Sequence, residues 1–181
     1  MKPTVSVYIA TSLDGFIARE NDDLDWLDTA SQTVPEGEGF GYAAFMSSVD
    51  LLVMGRYTYE KVLTFGEWPY QDKRVIVLSG RPLEIPPALS HLVTHSSESP
   101  QQLCQRLGQE GVGRIYLDGG VTIKRFLAAG LVDDMIITLI PVLLGSGKPL
   151  FGSLAADIPL KLVAAKPFDC GFVQVTYAIE Y

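Results

Sequence analysis

Histidine and cysteine are scarce in this chain, two of each, and that scarcity removes several kinds of chemistry at the outset. Cys104 and Cys170 lie far apart and form no Cys-x-x-Cys pair, so neither a redox motif nor a zinc site is suggested, and buried free thiols are expected. His91 and His95 flank a short strand-like piece without the companion ligands a metal site requires. Positive charge is also short: 14 Lys and Arg against 21 Asp and Glu leave a net charge of −7. That balance argues against sustained binding to nucleic acid or to an anionic membrane. No stretch reaches the roughly 18 apolar residues of a spanning helix. No serine sits in a Gly-x-Ser-x-Gly elbow, so acyl transfer has no support. Gly145-Ser146-Gly147-Lys148 looks like the tail of a phosphate loop, but the earlier glycine is missing and Pro149 stands where Ser or Thr should follow.

What remains is a compact enzyme-like composition. Apolar residues make up 48% of the chain and charged residues 19%, well away from the disordered class. A length of 181 residues suits one domain, 1–181, with a substantial core and no need of staples. Met1-Lys2-Pro3-Thr4 passes directly into a strand-like run without the charged-then-apolar pattern of a targeting segment, so a cytoplasmic protein acting on a small molecule is expected.

Val5 to Ala10 alternates and is rich in β-branched residues, which predicts a first strand ending in Thr11-Ser12-Leu13-Asp14-Gly15. From Phe16 to about Gly41 acids, glycines and a proline run with little periodicity, and a long functional loop is expected. The spacing predicts a helix over Tyr42–Ser48, then strands at Leu51–Met54, Arg74–Leu78 and Leu92–Thr94. Ser99-Pro100 is a cap followed by a first-turn proline, with Leu103 and Leu107 on one helical face. A strand at Arg114–Leu117 leads into a helix with Ile123, Phe126 and Leu127 inward and Gly130 as its stop. The apolar run from Asp134 to Leu143 follows, then a hairpin of Pro159–Lys166 and Phe172–Ile179. Alternating strands and helices with an antiparallel end define an α/β domain with a mostly parallel mixed sheet.

Two of the strands run straight into glycine and a helix. In Leu51-Leu52-Val53-Met54-Gly55-Arg56-Tyr57-Thr58 the glycine permits close approach, the first helical N–H groups and the Thr58 hydroxyl offer donors, and Arg56 suits a bidentate phosphate contact. In Ile115-Tyr116-Leu117-Asp118-Gly119-Gly120-Val121-Thr122 the paired glycines permit a nest of backbone N–H groups for a pyrophosphate. Ser79-Gly80-Arg81 adds a hydroxyl and a guanidinium at a third strand end, suited to a ribose 2′-phosphate. The plain alternative at each place is a glycine turn or an exposed surface loop.

Tyr8-Ile9-Ala10-Thr11-Ser12-Leu13-Asp14-Gly15-Phe16-Ile17-Ala18, Val53-Met54-Gly55-Arg56-Tyr57-Thr58-Tyr59-Glu60, Leu78-Ser79, Asp118-Gly119-Gly120 and Ile140-Pro141-Val142-Leu143-Leu144-Gly145-Ser146-Gly147 together resemble the dihydrofolate reductase-like family. The branch they resemble most is the C-terminal reductase domain of the bifunctional riboflavin-biosynthesis deaminase-reductase. The resemblance covers nearly the whole chain in motif order, and it implies a three-layer domain with helices on both faces of the sheet.

It further implies NADPH as cofactor, with Ala10 and Ile17 at the nicotinamide and Ser12 to Gly15 in a mobile active-site loop. Gly55, Arg56 and Thr58 would then bind the cofactor phosphates, Ser79 and Arg81 the 2′-phosphate, and Gly119, Gly120, Val121 and Thr122 the pyrophosphate. The implied activity is hydride transfer to a small heterocyclic or ribosylamino-pyrimidine substrate, as in 5-amino-6-(5-phosphoribosylamino)uracil reductase. A homodimer is implied as well, and the long run Met135–Leu144 suits either an interface or a long core strand. One departure stands out: the helix Tyr42–Ser48 lacks the carboxylate with which dihydrofolate reductase grips its pteridine. Asp14 is the nearest acid to the expected nicotinamide site, while Glu36 and Glu38 approach only from the loop. Arg19, Lys124, Arg125 and Lys148 are the cations available to a phosphorylated substrate. The missing helix carboxylate leaves open a dinucleotide-binding domain with little turnover, or a weak dihydrofolate reductase.

Overall fold

A computed structural model of residues 1–181 resolves the β-rich runs into ten strands and places five α-helices between them. The order is β1 (Thr4–Ser12), β2 (Phe16–Ala18), α1 (Asp25–Ser31), α2 (Tyr42–Ser48), β3 (Leu51–Gly55), α3 (Arg56–Leu63), β4 (Arg74–Leu78) and β5 (Val93–Ser96). It continues with α4 (Pro100–Gln109), β6 (Arg114–Asp118), α5 (Gly120–Ala128), β7 (Asp134–Ile140), β8 (Lys148–Pro149), β9 (Leu160–Pro167) and β10 (Val173–Ile179). Eight strands form one sheet in the order β5-β4-β3-β6-β1-β7-β10-β9, and β2 pairs with β8 in a separate two-stranded ribbon. The strands from β5 to β7 are parallel, and β10 and β9 close the sheet antiparallel. This is the dihydrofolate reductase-like mixed sheet that the motif order implied, including its C-terminal hairpin.

Strand alternation divides the core into two layers, as the period of two requires. Val5, Val7, Leu51, Val53, Ile76, Ile115 and Leu117 pack with Leu103 and Leu107 of α4 and Ile123 and Phe126 of α5 on one face. Leu52, Met54, Val75, Val77 and Tyr116 pack with Phe45 of α2 and Tyr59 and Val62 of α3 on the other. Burying this much apolar surface, at roughly 25 cal/mol per Å², is the main stabilisation of such a sandwich.

The helices end where their sequences say. Ser99 accepts a hydrogen bond from the N–H of Gln102 and the Gln102 side chain accepts one from the N–H of Ser99, a complete capping box on α4. Gly130, at φ +66°, stops α5 in a conformation most other residues resist. The segment from Phe16 to Gly41 departs from the expected continuous loop: it holds β2 and α1. Its polar surface hid both, because β2 is three residues long and α1 buries only Trp26. Trp26 packs with Ile140 and Phe172 in a small third cluster, which fixes α1 to the sheet edge instead of leaving it on a free lid. No helix is long and apolar enough to cross a membrane.

Candidate active site

Because β1, β3, β4, β6 and β7 are parallel, their carboxyl ends share one edge of the sheet. The chain leaves β3 toward β4 on one side and leaves β6, across β1, toward β7 on the other. Strand order therefore reverses beside β3 and β6, the place where open α/β sheets form ligand crevices. Both glycine junctions open there, one at the end of β3 and one at the end of β6.

The junctions interlock. A Cβ on Gly55 would lie 2.7 Å from the Thr122 hydroxyl of α5, and a Cβ on Gly119 would lie 2.3 Å from the Thr58 hydroxyl of α3. Gly119 also adopts φ +91°. Here the glycines are required by the packing of one junction against the other, a reason that the sequence alone does not supply. Gly120 is covered differently, since a Cβ there would lie 2.6 Å from Cδ1 of Ile17 on β2. The result places Ile17, Gly55, Thr58, Gly119, Gly120 and Thr122 within one small volume.

The N-termini of α3 and α5 lack a capping side chain and an acidic residue in the first turn. Of the five helices only α4 has a side-chain cap, and of the four uncapped starts those of α3 and α5 are the two that meet at the crevice. Their first-turn N–H groups and positive dipole ends face outward for an anion. These cradles fit the phosphates of a dinucleotide.

Arg56 is not free at the rim. Its Nε donates to Ser79 Oγ at 3.0 Å, and its terminal nitrogens donate to the Arg81 carbonyl at 3.0 Å, to the Pro82 carbonyl and to Glu60 at 3.3 Å. The guanidinium thus shapes the loop after β4 and joins the first junction to Ser79. Arg81 donates its backbone N–H to Ser79 Oγ at 3.2 Å, and its residue is exposed. His95 donates from Nε2 to the Ser79 carbonyl at 2.7 Å, which makes it part of the same strand end. Val121 is 62% exposed at the start of α5, whereas Thr122 is buried behind it. Ala10 lies at the end of β1 against the Trp26 cluster.

The other half of the crevice is aromatic. On the α2 side of the sheet Tyr8, Tyr42, Phe45 and Tyr116 have ring centroids 5.0–6.5 Å apart. Tyr8 donates to the Phe40 carbonyl at 2.7 Å, and Gln174 donates to that carbonyl at 3.0 Å and to Thr138 Oγ1 at 3.1 Å. These bonds tie the segment before α2 to β1, β7 and β10.

Asp118 stands at the end of β6, beside the aromatic cluster. It accepts the Gly119 N–H at 2.8 Å on Oδ1 and the Tyr70 hydroxyl at 3.3 Å on Oδ2. Burial pushes its carboxyl above the ordinary range, against the opposing pull of those two hydrogen bonds. Burial, then the charge of Asp118, pushes the Tyr42 phenol up to about 12, and the same causes raise Tyr70 and Tyr116. The sequence did carry a signal for this acid. Asp118 stands two residues after Tyr116 and so shares its face of β6, opposite Leu117.

Asp14 has other work. Its carboxylate accepts from Ser12 Oγ at 2.6 Å and from the N–H groups of Leu144 at 3.1 Å and Gly145 at 2.8 Å. These bonds hold its carboxyl below the ordinary range, the Ser12 bond foremost. Glu38 accepts the Phe40 N–H at 2.7 Å, a turn contact. Among the basic residues, Arg19 pairs with Asp25 at 2.5 Å and Lys148 pairs with Asp22. Lys124 lies against Gly152, and Arg125 is exposed.

Residues 3–174 match the RibD C-terminal domain family. The chain is 41% identical to YwjB, an uncharacterized protein of Bacillus subtilis strain 168, over 98% of each chain. Its structure is similar to that of a proposed riboflavin biosynthesis protein from Shewanella sp. PV-4, at 38% identity and a TM-score of 0.92, covering 98% of this chain and 99% of that one. It also shares the fold of dihydrofolate reductase from Enterococcus faecalis complexed with NADP(H), at 19% identity and a TM-score of 0.64, over 98% and 97% of the two chains.

Proposed function

The chain belongs to the RibD C-terminal domain family, and on that premise we propose that it is an NADPH-dependent reductase acting on a small heterocyclic or ribosylamino-pyrimidine substrate. The observation that carries this reading is the interlock of the α3 and α5 starts at the strand-order reversal, Gly55 against Thr122 and Gly119 against Thr58, with no acid in either first turn. Gly55, Thr58, Gly119, Gly120, Val121 and Thr122 would hold the phosphates there, with Ser79, Arg56 and Arg81 at the adenosine end and Ala10 and Ile17 at the nicotinamide end. When bound, the cofactor supplies the hydride.

The protein's part is to position the substrate ring and exclude water. The partly exposed rings of Tyr8 and Tyr42, backed by buried Tyr116, suit a heterocycle, and Asp118 offers one carboxyl to its ring N–H groups or a proton to the reduced product. Burial raises the Asp118 carboxyl above its ordinary range, a shift in the direction that favours donation. Asp118 also supports turnover over mere dinucleotide storage, since the lack of an acid on α2 was the ground for the latter. A homodimer belongs to the same proposal, and Leu162 and Val163, 55% and 61% exposed on the edge strand β9, support it.

The test has two steps. Titrating NADPH and NADH against tryptophan fluorescence should give micromolar or tighter binding with NADPH favoured. NADPH absorbance should then fall with a ribosylamino-pyrimidine and fall more slowly or not at all with dihydrofolate. No NADPH binding would refute the reading.

A further inference from the structure

Asp14 was the acid expected nearest the nicotinamide, yet its oxygens are spent on the protein itself. Around it, two segments from distant parts of the chain are laced together. Leu13 donates its N–H to the Val142 carbonyl at 2.9 Å, and Leu150 donates to the Gly15 carbonyl at 2.9 Å. Between these bonds, β2 pairs antiparallel with β8, and a Cβ on Gly147 would lie 2.4 Å from the Ala18 carbonyl oxygen. The strap 13–18 thus lies along the segment 142–150, and Ile17 projects from it onto Gly120 at the start of α5.

The Asp14 carboxylate sits at the centre of this lacing. It is a charged acceptor for two adjacent backbone N–H groups, those of Leu144 and Gly145, while Ser12 donates to it and in turn accepts the Phe16 N–H at 3.0 Å. Such charge-assisted bonds are about twice as strong as neutral ones. Leu13 and Leu143, which flank the latch, are 61% and 69% exposed, whereas Ile17, Val142, Leu144 and Leu150 pack inward on either side. The carboxylate is the one side chain that joins both adjacent amides of this turn to the strap.

We propose that Asp14 is a positioning residue, a latch that fastens the strap 13–18 to the amides of Leu144 and Gly145 and so seats Ile17 over Gly120. Its link to cofactor binding rests on the reductase reading above, whereas the latch itself does not. No proton leaves or joins Asp14 in this role.

The test compares wild type with Asp14→Ala and Asp14→Asn, using amide exchange followed by NMR and then NADPH binding and turnover. In Asp14→Ala, exchange of the Leu144 and Gly145 amides and of residues 13–18 should speed by about tenfold or more, while the β3 amides of Leu52 and Val53 stay protected. The apparent KM for NADPH should rise by about tenfold, with kcat at saturating NADPH within about twofold of wild type. Asp14→Asn keeps one carbonyl acceptor and should fall between the two. Unchanged exchange at Leu144 and Gly145 would overturn the latch, whatever the cofactor. Faster exchange with an unaltered KM for NADPH would overturn its coupling to the site, and so would a kcat collapse at unchanged KM, which would mark Asp14 as catalytic. If wild type binds no NADPH while exchange still responds to the substitutions, the reductase reading fails and the latch stands.

Discussion

Thr58 on α3 and Gly119 before α5 meet so closely that one methyl group decides whether the two helix starts can lie side by side. Gly119→Ala would set a Cβ 2.3 Å from the Thr58 hydroxyl at a backbone φ of +91°. The expected cost is about 1–3 kcal/mol of stability, measured by urea denaturation, with NADPH binding weakened as the helix starts are pushed apart. Adding Thr58→Ala should return part of the stability, since it removes the clash and leaves the backbone strain.

Arg56 holds the loop after β4 through Ser79 and the carbonyls of Arg81 and Pro82. Arg56→Ala should weaken NADPH by about 1.5–3 kcal/mol, as expected when a charged hydrogen-bonding group is lost at a phosphate site. NADH should be affected less, because the displaced loop carries Ser79 and Arg81. Fluorescence titration of both cofactors checks this, and equal negligible changes would remove Arg56 from the site.

Asp118→Asn separates stability from chemistry. Burial raises the folded pKa of Asp118 above its ordinary 3.8. The folded chain therefore holds this proton more tightly than the unfolded chain does. The stability it carries is present below the unfolded pKa and lost as pH rises through the folded pKa. The asparagine variant has no such loss. Its Tm should match or fall below wild type in acid and gain on wild type as pH rises through the folded pKa of Asp118, while kcat falls by about a hundredfold, the scale of a lost general acid. In wild type, kcat should decline as pH rises through the same folded pKa.

Much of this arrangement was legible in the residues. Helix bounds at Tyr42–Ser48 and after Ser99, and the reversal from parallel strands to a hairpin, follow from periodicity and caps. The junction residues were also legible, because strand, glycine and helix follow one another in the chain. What lay beyond reach were relations between distant segments: Gly55 with Thr122, Asp14 with Leu144, Tyr70 with Asp118. The three-residue strand β2 exists only through its pairing with β8 and has no local pattern to show. Asp118 drew no reading of its own for a subtler reason: within Asp-Gly-Gly the glycines hold the eye, and only the face it shares with Tyr116 sets it beside the aromatic cluster.

Ser99→Ala is the contrasting case. It breaks the capping box on α4, away from the crevice, and should cost about 1 kcal/mol of stability. NADPH affinity and turnover should stay at wild-type values. A chemical melt run beside the activity assay separates this change from those at α3 and α5.

The place of β1 in the sheet has a consequence for how the chain is made. β1 is made before every other strand of this sheet, yet its neighbours are β6 and β7, and the N–H of Val5 bonds the carboxylate of Asp133, 128 residues later. At roughly 5–20 residues per second, synthesis leaves that β-branched segment unpaired for many seconds. β1 therefore waits without its sheet partners until β6 and β7 are made, and a chain halted before β6 carries that β-branched strand unpaired.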